Sequence, residues 1–296
     1  MSQNRLPASL ARGRRFWFPP TPLTDTIPPA KSWSQLLMID TCPTHLMALA
    51  ERLADASGAV VRRYFRSRLA VTDKADLSPV TIADREAESI IRTIIEARRP
   101  DDGIIGEEHG CKNPDAEYVW VIDPIDGTKA FVTGRPTFGT LIGLLCQGRP
   151  VLGVIDQPVL GDRWIGAVGR ATTFHGAPAR VRACVGLAAA TLSATTPDMF
   201  IGADAAAFQR VVAAAKMTLY GGDCYAYGLL ASGFQDLVIE ASLNLYDFAA
   251  LVPVIIGAGG QITDWQGKAL DMDSDGRVIG AGDPHVHAEG LALLAG

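Results

Sequence analysis

The chain has 296 residues, 48% hydrophobic and 20% charged, with a formal net charge of −5. That apolar content can offset the entropy of ordering the chain, which excludes global disorder, and the mild negative charge lacks the basic stripe a nucleic-acid binder needs. No uninterrupted apolar run approaches the roughly 20 residues that span a bilayer, so neither nucleic acid nor membrane is expected as a partner.

Before Asp25 the chain carries Arg5, Arg12, Arg14 and Arg15, several prolines and no acid. A transit peptide has this composition, and so does a leader ahead of a later true start, for which Met38 and Met47 are alternatives. The leader reading is preferred, and residues 1–40 are set apart as a leader or disordered extension. Leu46, Leu49, Ala50, Leu53 and Ala54 fall at helical spacing and predict a long amphipathic helix over 41–65. A second helix is predicted from Ile82 through Ile95, ended by Arg98, Arg99 and Pro100. Residues 103–106 read as a short strand running into Glu107, and 118–122 as a buried strand directly before Asp123.

Further strands are predicted at 140–146, 151–156 and 163–168, making the middle of the chain an antiparallel sheet. The last third alternates: a helix over 203–215, a strand or turn to Gly222, a helix over 224–232, a strand at 237–240 and a helix over 247–256. That rhythm is α/β. Two parts are expected, an α+β part at 41–180 and an α/β part at 181–296 that completes the site. Five scattered cysteines form no CxxC pair and read as free thiols of a reducing compartment, so a cytoplasmic location is expected.

The chemistry concentrates in acids. Asp123-Pro124-Ile125-Asp126-Gly127-Thr128 places two carboxylates three residues apart after an apolar strand; the proline fixes one φ and the glycine permits close backbone approach. Glu107 upstream and Asp247 downstream also stand at element ends. If these carboxylates converge, mutual repulsion forces protonation unless a cation holds them ionised. Hard oxygen donors without His or Cys favour magnesium. The Gly127-Thr128 backbone, if it opens a helix, offers N–H groups to a phosphate, and the combination describes phosphoryl transfer to water. The bland alternative is that an isolated acid such as Asp247 is an N-cap and that Asp-Pro and Asp-Gly are turn residues. Among the histidines, His285-Val286-His287 reads as a polar loop rather than a metal pair, and His109 as a neighbour of the site.

Gly106-Glu107-Glu108, Trp120 through Thr128, and Tyr246-Asp247-Phe248-Ala249-Ala250 followed by 257–260 resemble, in order, the three signatures of the inositol-monophosphatase superfamily. The resemblance runs from about Leu46 to the C-terminus; Tyr246 and Leu251 depart from it, where many members have Trp and Gly. It implies a layered α/β sandwich, a frequent homodimer, and a phosphomonoesterase using two or three Mg2+ ions. Glu107, Asp123 and the Ile125 carbonyl would hold one ion; Asp123, Asp126 and Asp247 another. Residues 74–84 resemble the family's mobile loop, which assigns Asp84, with Thr128 and Glu107, to positioning the attacking water, and Gly127 and Thr128 to the phosphate. No covalent phosphoenzyme is implied.

Gly221-Gly222-Asp223-Cys224-Tyr225-Ala226-Tyr227, with Asp156-Gln157-Pro158, Arg163-Trp164-Ile165-Gly166 and Glu240, look like the histidinol-phosphate phosphatase branch. Histidinol phosphate carries an ammonium and an imidazole, which the acids Asp223 and Glu240 would complement, whereas inositol offers only hydroxyls. Asp223 as a helix cap and Tyr225 and Tyr227 as packing residues are the plain alternatives. Hydrolysis of inositol monophosphate, another sugar phosphate or a nucleotide 3'-phosphate stays open, as does a catalytically weak binding protein.

Overall fold

The structure, a computed structural model, describes residues 41–67, 72–73 and 79–296. The predicted extension at 1–40 and residues 74–78 of the predicted loop lie outside the described residues.

The chain opens with α1 (Thr44–Tyr64), which buries Leu46, Leu49, Ala50, Leu53 and Val61 along one face, as the helical spacing requires. Two short strands, β1 (Thr72–Asp73) and β2 (Pro79–Val80), pair antiparallel before α2 (Ile82–Arg98). A run of strands follows: β3 (Gly103–Gly106), β4 (Gly110–Lys112) and β5 (Tyr118–Asp126). After the single turn of α3 (Thr128–Val132) come β6 (Gly139–Cys146), β7 (Arg149–Gln157), β8 (Asp162–Ala167), β9 (Thr173–Phe174) and β10 (Ala177–Pro178). The strands β3 to β10 form one sheet in the order β10-β9-β8-β7-β6-β5-β3-β4. Its pairs are antiparallel except β3 with β5, which run parallel.

The C-terminal part contains β11 (Thr191–Ala194), α4 (Ala203–Ala214), β12 (Met217–Tyr220), α5 (Asp223–Ala231) and β13 (Leu237–Glu240). It closes with α6 (Leu245–Phe248), α7 (Leu251–Gly257), β14 (Gln261–Thr263), β15 (Val278–Ala281) and α8 (Pro284–Ala295). Its five strands are ordered β12-β11-β13-β15-β14, parallel from β12 to β13 and antiparallel beyond.

Alternation along the strands sorts the core into layers. Ile142 and Leu144 of β6 meet Leu46, Leu53 and Ile91 from α1 and α2 on one face of the large sheet. Leu141 of β6 and Ile155 of β7 point the other way, onto Tyr227, Leu230, Val254 and Ile255 of α5 and α7. Val238 and Val278 of the smaller sheet join that same layer, while Ile239 and Ile279 face Phe208, Val211, Val286 and Leu294 of α4 and α8. The result is the layered α/β sandwich the resemblance implied.

A row of glycines lets the middle helices approach the large sheet. Gly143, Gly153 and Gly166 are register partners across β6, β7 and β8. A Cβ on Gly153 would lie 1.9 Å from the carbonyl oxygen of Ala250, and one on Gly166 would lie 2.3 Å from that of Pro253. The backbone from α6 into α7 therefore rests in a trench that only glycine leaves open.

Two expectations change. The helix predicted over 247–256 is two helices, α6 and α7, broken around Ala249 and Ala250 where the chain meets the trench. His285-Val286-His287 is not a polar loop but the first turn of α8, capped by Asp283, with His287 6% exposed and hydrogen-bonded to Thr263.

Candidate active site

The site starts from an irregularity in β5. In a regular strand Asp123 and Asp126, three residues apart, would face opposite sides. Here Asp123 pairs with Leu141 and Asp126 with Gly139, so two residues of β5 stand against the single Thr140 of β6. This bulge turns both aspartates to one side. It is pinned from two directions: the Thr140 hydroxyl donates to the Pro124 carbonyl at 2.8 Å, and Ile125 N–H donates to Asp123 Oδ1 at 3.0 Å. Gly127 follows with φ 84°, in the left-handed region that favours glycine, and α3 begins at Thr128 as anticipated. The Thr128 hydroxyl donates to the Ile125 carbonyl at 3.2 Å.

Glu107 arrives by register. β3 runs parallel to β5 with Gly106 opposite Ile122, and Glu107 N–H bonds the Ile122 carbonyl at 3.2 Å, which sets Glu107 beside Asp123. Asp247 arrives from the trench side. It is the third residue of α6 in a capping box with Asn244, whose N–H donates to Asp247 Oδ2 at 2.6 Å. The N-cap of α6 is therefore Asn244 and not Asp247, although one Asp247 oxygen serves the helix start. Carboxylate oxygens of Asp123, Asp126 and Asp247 lie within 4.8 Å of one another.

Such packing without counter-charge is costly. Burial, then Glu107, Asp126 and Asp247, drives Asp123 well above the usual carboxylate range. Burial, with Asp223 and Asp247 next, does the same to Asp126. Burial and Glu107 push Asp247 to about 6, although the Asn244 N–H works against them. An all-oxygen donor set that repels itself fits a hard divalent cation such as magnesium, which would hold the group ionised.

Asp84 is 1% exposed at the start of α2. Its Oδ2 accepts from the Thr81 N–H at 2.8 Å and hydroxyl at 2.6 Å in a capping box. Burial raises it to about 6 despite those bonds. Asp84 and Thr128 therefore bond to separate partners rather than to each other, although Ala83, Ile125 and Ala130 share one core cluster and bring α2 against α3.

On the far side of the carboxylates lies a cavity of ≈130 Å³, lined by Asp126, Asp247, Asp223, Glu240, Tyr227 and Met199 among others. Asp223 is not the cap of α5; Gly222 is, and Asp223 is its first residue, with φ 43°. Its side chain lies against Gly127, where a Cβ would come within 2.7 Å of Asp223 Cγ. Burial raises Asp223 to about 6, with Arg135 and Lys129 pulling the other way. Glu240, at the end of β13, is 4% exposed and raised to about 7 by burial, partly offset by its bonds to Thr195 and Tyr227.

Sequence reasoning missed several supporting groups. Cys224 N–H, in the first turn of α5, donates to Asp126 Oδ2 at 2.6 Å. Tyr227, for which packing was the plain alternative, donates to Glu240 Oε2 at 3.1 Å, and Thr195 N–H to Oε1 at 3.0 Å. The motifs around Asp156 and Trp164 do not line this cavity. Asp156 pairs with Arg163 across β7 and β8, and Trp164 lies so close to Gly228 that a Cβ there would come within 2.7 Å of its ring. Trp164 thus packs on α5 and acts on Asp223 and Tyr227 at one remove, whereas Arg163 reaches Asp55 of α1. His109 bonds Ser89 and the Arg85 carbonyl.

The fold and this acid-lined centre define a metal-dependent phosphatase. The inositol monophosphatase family profile matches residues 43–295, and the chain belongs to that family. It is 51% identical over 264 residues to the bifunctional phosphatase IMPL2, chloroplastic, of Arabidopsis thaliana, covering 86% of this chain and 76% of that protein. It is 35% identical to the histidinol-phosphatase of Chlorobaculum parvum, over 78% of this chain and 90% of that one. A solved inositol monophosphatase from Zymomonas mobilis superposes with TM-score 0.79 at 47% identity, over 85% and 98% of the two chains. The chain is accordingly a phosphoric monoester hydrolase. No helix among the described residues is long and apolar enough to cross a membrane.

Proposed function

We propose that this enzyme hydrolyses L-histidinol phosphate to L-histidinol and phosphate, the reaction of histidine synthesis. The carrying observation is Glu240: a carboxylate 4% exposed, bonded only to the neutral donors of Thr195 and Tyr227, on the wall of a cavity it shares with Asp126 and Asp247. A buried acid with no basic partner among the described residues suits a cationic group of a ligand. A leaving alcohol bearing an ammonium fits it better than a cyclitol, and the Chlorobaculum parvum relative carries the histidinol-phosphatase name.

In this reading Glu107, Asp123, Asp126, Asp247 and the Ile125 carbonyl hold two or three magnesium ions. Bound magnesium supplies Lewis-acid charge at the phosphate and lowers the pKa of a coordinated water. Glu107 and the Thr128 hydroxyl orient the attacking water in line with the ester bond, with Asp84 behind them at the start of α2. Gly127 and Thr128 N–H groups receive the phosphate oxygens. Asp223 and Glu240 hold the alcohol through its cationic groups. A homodimer in the cytoplasm completes the reading, and the five free cysteines suit a reducing compartment; light scattering and cell fractionation test these two points.

The second reading is hydrolysis of inositol 1-phosphate, favoured by the likeness to the Zymomonas mobilis inositol monophosphatase. Phosphate release from histidinol phosphate, inositol 1-phosphate, fructose 1,6-bisphosphate and a nucleotide 3'-phosphate, with magnesium and with chelator, separates them. A magnesium-dependent preference for histidinol phosphate is expected; preference for another ester overturns the substrate, and no hydrolysis of any ester overturns the metal mechanism.

A further inference from the structure

We propose that Tyr227 is a positioning residue that sets selectivity for phosphate esters with a cationic alcohol, by fixing the carboxylate of Glu240; the inference rests on the substrate reading above. Glu240 Oε1 accepts from Thr195 N–H at 3.0 Å and Oε2 from the Tyr227 hydroxyl at 3.1 Å, and the Thr195 side chain also bonds the carboxylate. A carboxylate offers about four acceptor positions, so its protein partners leave room for a ligand. Donors arriving from different elements, the segment after β11 and helix α5, fix the rotation of the carboxylate as one donor would not.

Tyr227 is suited to this by its own rigidity. It is fully buried, and a Cβ on Gly280 of β15 would sit 3.4 Å from its ring, so the phenol is held between α5 and the smaller sheet. The ring also lines the cavity together with Met199, Leu243 and Leu251, apolar surfaces that share its wall with Glu240. A hydroxyl-rich alcohol gains little from a carboxylate fixed this way, because a rotatable hydroxyl follows its acceptor. An ammonium or imidazolium on a short stem gains more, because a charge-assisted bond depends on where the acceptor is held.

The test is Tyr227→Phe, which keeps the ring and removes the hydroxyl, beside Glu240→Gln and the double variant, each with magnesium on histidinol phosphate and on inositol 1-phosphate. Thermal unfolding checks that each variant is folded. The expected result is an approximately tenfold fall in the ratio of kcat/KM for histidinol phosphate over inositol 1-phosphate in Tyr227→Phe, the scale of a lost hydrogen bond to a charged group, through KM rather than kcat. The hydroxyl removal should add little selectivity loss once Glu240 is Gln. An unchanged ratio in Tyr227→Phe, or a fall that persists in full in the Glu240→Gln background, overturns the proposal while the substrate reading stands. A wild-type enzyme with no preference for histidinol phosphate overturns both, and is seen before any variant is made.

Discussion

Glu88, Asp102 and Asp236 are buried beside arginines, whereas Asp123, Asp126 and Asp247 are gathered beside one another. Arg92 reaches Glu88 at 2.6 Å, Arg99 reaches Asp102 at 2.9 Å and Arg182 reaches Asp236 at 2.6 Å. The proton affinity of Asp236 diverges from those of Asp123 and Asp126. Burial pushes Asp236 up, but the Arg182 guanidinium and Thr191 N–H outweigh it and leave the acid below its ordinary value. Asp123 and Asp126, with acids where Asp236 has an arginine, end well above theirs. The fold can neutralise a buried acid and does so where the acid is structural; at the bulge of β5 it leaves the charge for a cation.

The sharpest way to break this contrast is Asp123→Asn. Activity is expected to fall about a thousandfold, the scale of losing a transition-state electrostatic stabiliser. In chelator the variant should melt above the wild type, because one self-repelling charge is gone; a lower melting temperature would mean the cluster is not strained without metal.

Gly153→Ala attacks the approach of Asp247 instead. A methyl 1.9 Å from the Ala250 oxygen should cost about 3 kcal/mol by urea unfolding, at the upper end of overpacking. Loss of activity should accompany it, as α6 is pushed off the sheet.

Asp236→Asn tests the paired side. It should lose about 2 kcal/mol through the weakened bonds to Arg182 and Thr191, and unlike Asp123→Asn it should not stabilise the protein in chelator.

The pH dependence of the metal-free protein sharpens the comparison further. Glu240 is raised from 4.5 to about 7 when folded, so the folded state holds its proton more tightly than the unfolded chain. Its contribution is fully present below pH 4.5 and falls as pH rises to about 7. Melting in chelator across that range should show the decline, to which Asp84, Asp223 and Asp247, raised to about 6, also contribute, and Glu240→Gln should make it shallower toward pH 7. The smallest effect belongs to a pair exposed on both sides: breaking Lys112 with Glu96 by Glu96→Gln should change stability by less than about 0.5 kcal/mol.

Much of the site was legible because acids at the ends of apolar runs are local signals. Glu107, Asp123 and Asp126 needed only the strand reading, and the capping box of Asp84 is likewise written in neighbouring residues. What escaped depends on chain segments far apart. The bulge exists only against Thr140, and the glycine row exists only when three strands are in register. Tyr227 looked apolar because its hydroxyl acquires meaning from Glu240 across a different element. The strands β11, β14 and β15 are three or four residues long and too short for a period to register, whereas α8 could have been read from Asp283 and Pro284, a cap followed by proline at the first helical position.

The glycine trench also orders events in time. Asp123 and Asp126 leave the ribosome well before Asp247, and their sheet can pair while the C-terminal helices are still being made. The last carboxylate meets the other two with the backbone around Ala250 seated against Gly153. A cation that needs all three would therefore bind the finished molecule and not its precursor, and by mass action would hold those helices in place. A metal held there would act as a clasp, fastened at the end of synthesis, as well as a participant in the proposed reaction.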